Sequence, residues 1–447
     1  MVRPHPDPLP AGHGARRVLA LPVPAGEGVL RLLPALARAL DGRGDALHPH
    51  AADRAPHPAV GAGQPLTRGE DDPADPTAVV VATSGSTGAP KPALLSAGAL
   101  RASAAATATR LGGPGAAAGP GGRGDEQWLL ALPGHHVAGL QVLLRSVRAG
   151  TEPVVADLAD GFTPRAFTAA VARATGTRLL TSLVPTQLAR LLDAAGAEGE
   201  EARAALASCA AVLVGAAATP PALLERARAA GARVVTTYGS SETCGGCVYD
   251  GVPLDGVVAS LDRDPGPVPG PDGAEGGAGR LVLAGPVVAR GYRGRPGDPA
   301  FTRTAAGRAF RTDDTAVLGA DGRVGVLGRV DDVVVTGGLK VAPAAVEAVL
   351  AAHPGVREVV VVGVPDPEWG QAVAAVVVPT ARGCSLEELR EVVRQRLGAP
   401  AAPRRLLLLE ELPLRGPGKP DRSALRALAA ASGARLGTAG DARSSSR

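Results

Sequence analysis

The pattern of apolar and polar positions divides the chain into blocks with different spacing. Residues 29–40 carry apolar side chains at helical spacing, and 79–82 form a short β-branched run that leads into a Gly/Ser/Thr loop. From Gln127 to about Gly239, strand-like runs (129–132, 179–184, 211–214, 233–237) alternate with helix-like runs (165–174, 186–194, 221–230). Such alternation predicts an α/β fold with largely parallel, helix-covered sheets. After Tyr238 the chain becomes turn-rich, and 253–328, with strands at 280–284 and 323–327, reads as a β subdomain. Strands at 333–335, 359–364 and 372–378 and helices at 343–352 and 386–397 predict a small α+β C-terminal domain. The expected organisation is a large domain over 1–328, a small domain over 329–430 and a disordered tail over 431–447. Segments 1–16 and 42–76 read as loose, and 112–125 as a surface loop.

Composition narrows the function classes. The chain has 447 residues, 45% hydrophobic and 20% charged, enough material for a substantial core. Its 60 Gly and 41 Pro follow no Gly-X-Y period, which excludes collagen. Aromatics are only 2% of residues, too few for a nucleic-acid stacking platform. The net charge of +4 is spread along the chain, so no nucleic-acid partner is expected. The four cysteines are too scattered for a disulfide framework. No apolar stretch reaches a membrane span of about 20 residues, since 128–144 is interrupted by Pro133, Gly134, His135 and His136. The start of the chain lacks an apolar signal-peptide core. A cytoplasmic protein without a membrane span is expected, and a homo-oligomer is compatible with it. The only lysines are Lys91, Lys340 and Lys419, in a chain that otherwise uses Arg. They mark positions where a compact ammonium is needed.

The run Thr83-Ser84-Gly85-Ser86-Thr87-Gly88-Ala89-Pro90-Lys91 follows a predicted strand. Glycines let backbone approach an anion, hydroxyls and amides donate to it, and Lys91 adds a point charge. The spacing is not that of a Walker A loop. This run resembles the phosphate loop of the adenylate-forming superfamily, which contains acyl-CoA synthetases, peptide-synthetase adenylation domains and luciferase. The likeness extends in order from about Ala78 to Arg422.

The resemblance implies roles for matching residues. Tyr238-Gly239-Ser240-Ser241-Glu242-Thr243 is similar to the family's Y-G-x-[ST]-E-[ST] segment. There, Tyr238 and Gly239 would border adenine and acyl group, Ser241 would touch phosphate, and Glu242 would help hold Mg²⁺. Gly215-Ala216 would pack on the adenine ring. Asp314, in Phe310-Arg311-Thr312-Asp313-Asp314, would bind the ribose hydroxyls, although Asp313 stands where the family has glycine. Arg329 would contact ribose or phosphate, and Asp331 would be the hinge between domains. Gly337-Gly338 would line the pantetheine of coenzyme A. Lys419, in the C-terminal Gly-Lys segment, would bridge the attacking carboxylate and the α-phosphate. His136 would line or gate the acyl channel. Cys244-Gly245-Gly246-Cys247 reads as a Gly-rich loop of the acyl pocket, since zinc would need a second pair.

The segments 237–254, 181–188 and 283–292 resemble the 2-succinylbenzoate–CoA ligases of menaquinone biosynthesis. That likeness implies ATP, Mg²⁺ and coenzyme A as cofactor and co-substrates, and an aromatic dicarboxylate as substrate. An acyl adenylate would form first and a thioester second, after the small domain turns about Asp331. Ser182, Arg190, Ser240 and Thr243 are the acyl-pocket candidates, with Arg190, Ser182 and Thr243 competing for the second carboxylate. A ligase for another small carboxylic acid and a non-catalytic adenylate-binding protein are the alternatives.

Overall fold

The computed structural model describes residues 15–83, 90–112, 126–263, 277–414 and 420–437. The chain divides into two compact units. The first comprises 1–219, 225–259 and 282–312, and the second 220–224, 260–281 and 313–447.

The first unit opens with a four-stranded sheet in the order β1 (Val18–Val23), β2 (Ala46–Ala51), β3 (Thr77–Ala82), β4 (Pro92–Ser96). The first three strands are parallel and β4 returns antiparallel on β3. Val79, Val80 and Val81 are buried, as a β-branched run in a covered strand should be. β2 corrects the expectation that 42–76 is loose. Its Ala-Leu-His-Pro-His-Ala run shows no alternation, and Pro49 argues against an inner strand. The strand forms because β2 pairs along its length with β1 but meets β3 only at Leu47↔Val79. Helix α1 (Leu33–Leu40) buries Leu36, Ala39 and Leu40 at helical spacing, as predicted. It is followed by α2 (Ala97–Gly112).

A seven-stranded sheet makes the centre of this unit. Its strands are β5 (Glu126–Leu130), β6 (Val154–Val155), β7 (Arg178–Leu183), β8 (Ala211–Val214), β9 (Val234–Ser240), β10 (Gly245–Tyr249) and β11 (Val252–Pro253). The spatial order is β11-β10-β9-β8-β7-β5-β6, with β5 to β9 parallel. Helices α3 (Val137–Ala149), α4 (Pro164–Ala172), α5 (Pro185–Asp193) and α6 (Gly196–Ser208) connect the strands. The α/β reading is therefore correct for this region. Because β6 and β7 lie on opposite sides of β5, the strand order reverses there. A crevice opens outside the carboxyl ends of parallel strands at such a switch point. His135 and His136 follow β5, and Val184 follows β7.

In the first unit Phe301–Thr304 (β12) forms a hairpin with the start of Gly307–Leu318 (β13). In the second unit the rest of β13 pairs antiparallel with Val324–Arg329 (β14). The C-terminal part of the second unit is built on Val356–Asp366 (β15) and Gly370–Pro379 (β16), an antiparallel pair in register from Glu358↔Val378 to Asp366↔Gly370, with a register shift between Val356 and Glu358. Helices α7 (Pro343–Ala351) and α8 (Leu386–Leu397) contribute Val346, Leu350, Leu389 and Val393 to a core with Val361, Val373 and Val377. Ser385 caps α8 by accepting the Glu388 amide at 3.2 Å. The opposite face of the sheet packs Leu425 and Ala429 of α9 (Arg422–Gly437) against Val360, Val362 and Val376. This helix corrects the expected start of the tail at 431. The Ala- and Leu-rich run has high helical propensity and outweighs the Ser and Gly within it. Residues 438–447, like 1–14 and most of 112–125, lie outside the described residues.

Candidate functional site

The expected phosphate loop leaves β3 and returns to β4 through a closed neck. The Thr83 amide donates to the Lys91 carbonyl at 3.1 Å, and the Lys91 amide donates to Thr83 Oγ1 at 3.2 Å. Ser84, Gly85, Ser86, Thr87 and Gly88 lie outside the described residues. Beyond the neck, β4 is flanked by a strap at 289–293. The Arg290 amide donates to the Leu94 carbonyl (2.8 Å), Leu94 to Gly291 (2.9 Å) and Arg293 to Pro92 (2.8 Å).

That strap carries Tyr292 to Glu242. The Tyr292 hydroxyl donates to Glu242 Oε1 at 2.7 Å, and the Ala289 amide donates to the Glu242 carbonyl at 2.8 Å. Both side chains are buried. Lys91 Nζ lies 5.4 Å from the Tyr292 ring centroid, within cation–π range. Lys91, Tyr292 and Glu242 thus form one cluster, although they come from separate sequence segments. In the sequence Tyr292 is only the last residue of the segment 283–292, and its sole signal is an aromatic residue in a chain with very few.

The remaining candidates of this unit lie in or just after the parallel strands β5, β7, β8 and β9, except Arg190, which is on α5. Ser182 is buried in β7, and the Gly215 amide donates to the Leu183 carbonyl at 3.2 Å. Ala216 adopts the left-handed conformation at φ 69°. At Gly239 an added Cβ would meet the Gly245 carbonyl oxygen, so the β9–β10 turn after Tyr238 admits no side chain. The turn that follows β9 holds Ser241, Glu242 and Thr243. The Thr243 hydroxyl is committed to the Gly245 carbonyl (2.8 Å) and accepts the Ser240 amide (2.9 Å). Ser240 Oγ is buried without a partner among the described residues. Arg190 is exposed and donates to the Phe162 carbonyl at 3.3 Å. His136 precedes α3 and is exposed, its ring 4.3 Å from that of His135.

Gln141, buried in α3, donates to the Cys244 carbonyl at 2.6 Å and fixes the loop after Thr243. Cys244 and Cys247 are both fully buried. Desolvation pushes the Cys247 thiol up to about 12 and the Cys244 thiol higher still. Both are protonated near neutrality, which suits a packing role and argues against redox work.

In the second unit, Asp314 on β13 stands opposite Arg329 on β14, with 3.7 Å between carboxylate and guanidinium. Arg329 also reaches Asp313 at 3.2 Å, and Asp313 binds Arg280 through its other oxygen. The glycine-to-aspartate departure therefore creates a clamp on Arg329. Asp331 lies in a short turn, Val330–Asp332. Its neighbour Asp332 pairs with Arg422 (3.4 Å) and Arg426 (3.6 Å). Arg422 also grips Glu347 at 2.8 Å. Gly337 sits at φ 56°, and an added Cβ would lie 2.7 Å from Trp369 Cε3; the adjoining Gly338 completes the turn. Lys419 lies outside the described residues. Its flanks are joined by a Leu414↔Pro420 bridge and by the Asp421 amide donating to the Pro413 carbonyl at 2.8 Å.

Whether a divalent cation fits can be judged from Glu242. The residue is buried, and among the described residues Oε2 has no hydrogen bond or ion pair but is not among the buried unpartnered atoms, so it keeps access from outside. Among those residues no group of three or more His, Cys, Asp or Glu could hold a metal alone. One carboxylate completed by phosphate and water oxygens is the donor set that Mg²⁺ accepts. No helix among the described residues is long and apolar enough to cross a membrane.

Comparison with known proteins identifies the family. Residues 30–293 match the model of the AMP-binding enzyme family, and 345–419 match its C-terminal domain. The chain is 43% identical over 411 residues to a protein of Mycobacterium tuberculosis (strain CDC 1551 / Oshkosh) named probable 2-succinylbenzoate–CoA ligase, covering 91% of this chain and 97% of the relative. It is 31% identical over 363 residues to the 2-succinylbenzoate–CoA ligase of Bacillus cereus (strain Q1), covering 78% and 69%. Among solved structures, o-succinylbenzoate CoA synthetase from Bacillus subtilis, in complex with an acyl-adenylate intermediate, has a TM-score of 0.67 at 24% identity, covering 93% of this chain and 89% of its own. ATP-bound MatB from Rhodopseudomonas palustris has a TM-score of 0.72 at 24% identity, covering 94% and 90%. These likenesses establish the adenylate-forming fold. With the family model matching most of the chain and the mycobacterial relative matching it nearly end to end, the chain belongs to the AMP-binding enzyme family.

Proposed function

We propose that this protein is an AMP-forming ligase that joins 2-succinylbenzoate to coenzyme A, with ATP cleaved to AMP and pyrophosphate, in menaquinone biosynthesis. The observation that carries the catalytic reading is the Glu242 carboxylate, linked through Tyr292 to Lys91 at the base of the phosphate loop. The relatives' names support the choice of acid.

In this reading the chain's residues act mainly by positioning and charge placement. Lys91 and the donors of 83–88 hold the triphosphate. Glu242 would hold Mg²⁺, which supplies neutralisation of phosphate charge. Gly215, Ala216, Tyr238 and Gly239 border the adenine, Ser241 meets phosphate, and Asp314 and Arg329 take the ribose side. The succinyl carboxylate attacks the α-phosphorus, Lys419 stabilises the charge that develops, and an acyl adenylate forms as pyrophosphate leaves. The part beyond Asp331 then turns, withdraws Lys419 and presents Gly337 and Gly338 to the pantetheine. The coenzyme A thiol attacks the adenylate carbonyl and AMP leaves. His136 would line the acyl channel. For the second carboxylate this reading favours Ser182 and Ser240, supported by Arg190 donating to the Phe162 carbonyl and by the Thr243 hydroxyl being already committed.

The test is mass spectrometry of products after incubation with ATP, Mg²⁺, coenzyme A and 2-succinylbenzoate, beside a panel of other small acids. 2-Succinylbenzoyl-CoA with AMP is expected. Turnover only of another acid would replace the substrate assignment, and adenylate binding without turnover of any acid would remove the catalytic one.

A further inference from the structure

The Glu242 carboxylate has two oxygens in different circumstances. Oε1 accepts the Tyr292 hydroxyl at 2.7 Å, while Oε2 has no hydrogen bond or ion pair among the described residues. A carboxylate can turn about its last side-chain bond unless something holds it. Here one short hydrogen bond does so, from a ring that is itself locked. Phe301 packs edge-on against Tyr292 at 5.0 Å and 78°. The backbone at Tyr292 bridges to Ala93 and Arg295, so the phenol is fixed to the strand that follows the phosphate loop. Its face lies against Lys91.

We infer that Tyr292 is a positioning residue for the nucleotide's divalent cation: its hydroxyl fixes Glu242 Oε1 so that Oε2 is presented to the metal, and its ring registers Lys91 to the same point. The inference rests on the reading of Glu242 as a metal-binding residue. Orientation matters because Mg²⁺ demands near-ideal octahedral geometry and is held by few protein oxygens. A carboxylate free to rotate would lose part of its affinity for that metal. Residues that orient metal ligands commonly change affinity by about 10–100-fold when removed.

The test uses Tyr292→Phe, which removes the hydroxyl and keeps the ring against Lys91 and Phe301. Mn²⁺ in the presence of ATP is titrated by electron paramagnetic resonance on wild type, Tyr292→Phe, Glu242→Gln and the double variant. The Mg²⁺ dependence of pyrophosphate release is measured in parallel. Tyr292→Phe is expected to weaken the Mn²⁺–ATP complex and to raise half-saturating Mg²⁺ by about tenfold, with KM for the acid and the thermal midpoint unchanged. The double variant should be no weaker than Glu242→Gln alone. Unchanged metal affinity in Tyr292→Phe, with Glu242→Gln impaired, overturns the positioning role alone. Fully additive losses also overturn it. Unchanged metal affinity in both single variants overturns the assignment of Glu242 and this inference with it.

Discussion

The Asp313 carboxylate holds the Arg329 guanidinium at 3.2 Å, and its other oxygen binds Arg280. The residue that departs from the family's glycine thus steadies the arginine proposed to meet the nucleotide. Arg carries about 2 kcal/mol of side-chain rotamer entropy, which an existing partner reduces before ligand arrives. These pairs are partly exposed, so each is worth about 0–1 kcal/mol. Asp313→Gly is expected to raise KM for ATP by about two- to fivefold, the equivalent of that energy, with kcat little changed. Steady-state pyrophosphate release measures it, and an unchanged KM would remove the clamp from the account.

Lys419→Ala and Gly337→Ala should separate the two half-reactions. The lysine variant is expected to lose adenylate formation while still converting preformed acyl adenylate to thioester. At Gly337 the new methyl would crowd Trp369 at a backbone φ of 56°. That variant should form adenylate and lose thioester formation. Single-turnover assays of each half-reaction check both, and equal loss of the two in either variant would count against a two-state cycle.

Glu347 accepts Arg422 through both carboxylate oxygens, at 2.8 and 3.1 Å, and Oε1 also takes the Val361 amide. Glu347→Gln leaves an acceptor for Val361 but removes the charge facing Arg422. Hydrogen bonds to charged groups contribute about 1.5–3 kcal/mol. Because this pair is partly hydrated, the expected destabilisation is about 1–2 kcal/mol, read as a lower thermal midpoint and faster proteolysis of the C-terminal part.

His48 gives the structure a definite pH dependence. Its Nδ1 donates to the Val80 carbonyl at 2.9 Å, while the buried Nε2 has no partner among the described residues. Burial holds the pKa below the ordinary value of 6.5. The unfolded chain therefore binds a proton at a pH where the folded chain does not. Stability should be full above 6.5 and should fall as pH drops below it, through the lowered folded value. His48→Asn, which keeps a donor for Val80 and removes the titration, should flatten the fall in thermal midpoint between neutral and mildly acidic pH. An unchanged slope would assign it elsewhere.

Four of the parallel strands (β5, β7, β8 and β9) and the helices α4 and α5 are legible because their information is local, whereas β6 and α3 are not among the expected elements. An apolar run bounded by turn residues makes a buried strand, and the residue types expected of an anion-binding loop fall within nine adjacent positions, Thr83 to Lys91. Helix α6 was missed because its face is small residues, Gly199, Ala202 and Ala205, with little contrast between sides. β2 was missed because Pro49 is tolerated only where one side of the strand is open.

The sequence by itself determined the layered α/β character, the order of the chemistry-bearing segments and the family. Neighbouring residues carry those features, and periodicity or residue type is enough to express them. Tertiary structure decided which groups of each unit act together. Tyr292 and Glu242 are 50 positions apart and meet because the strap at 289–293 hydrogen-bonds along β4. Asp313 became a clamp because antiparallel pairing sets β13 beside β14 and so brings Arg329 to it. Hydrogen bonds and ion pairs between distant segments depend on packing, and no local pattern encodes which pairs will form.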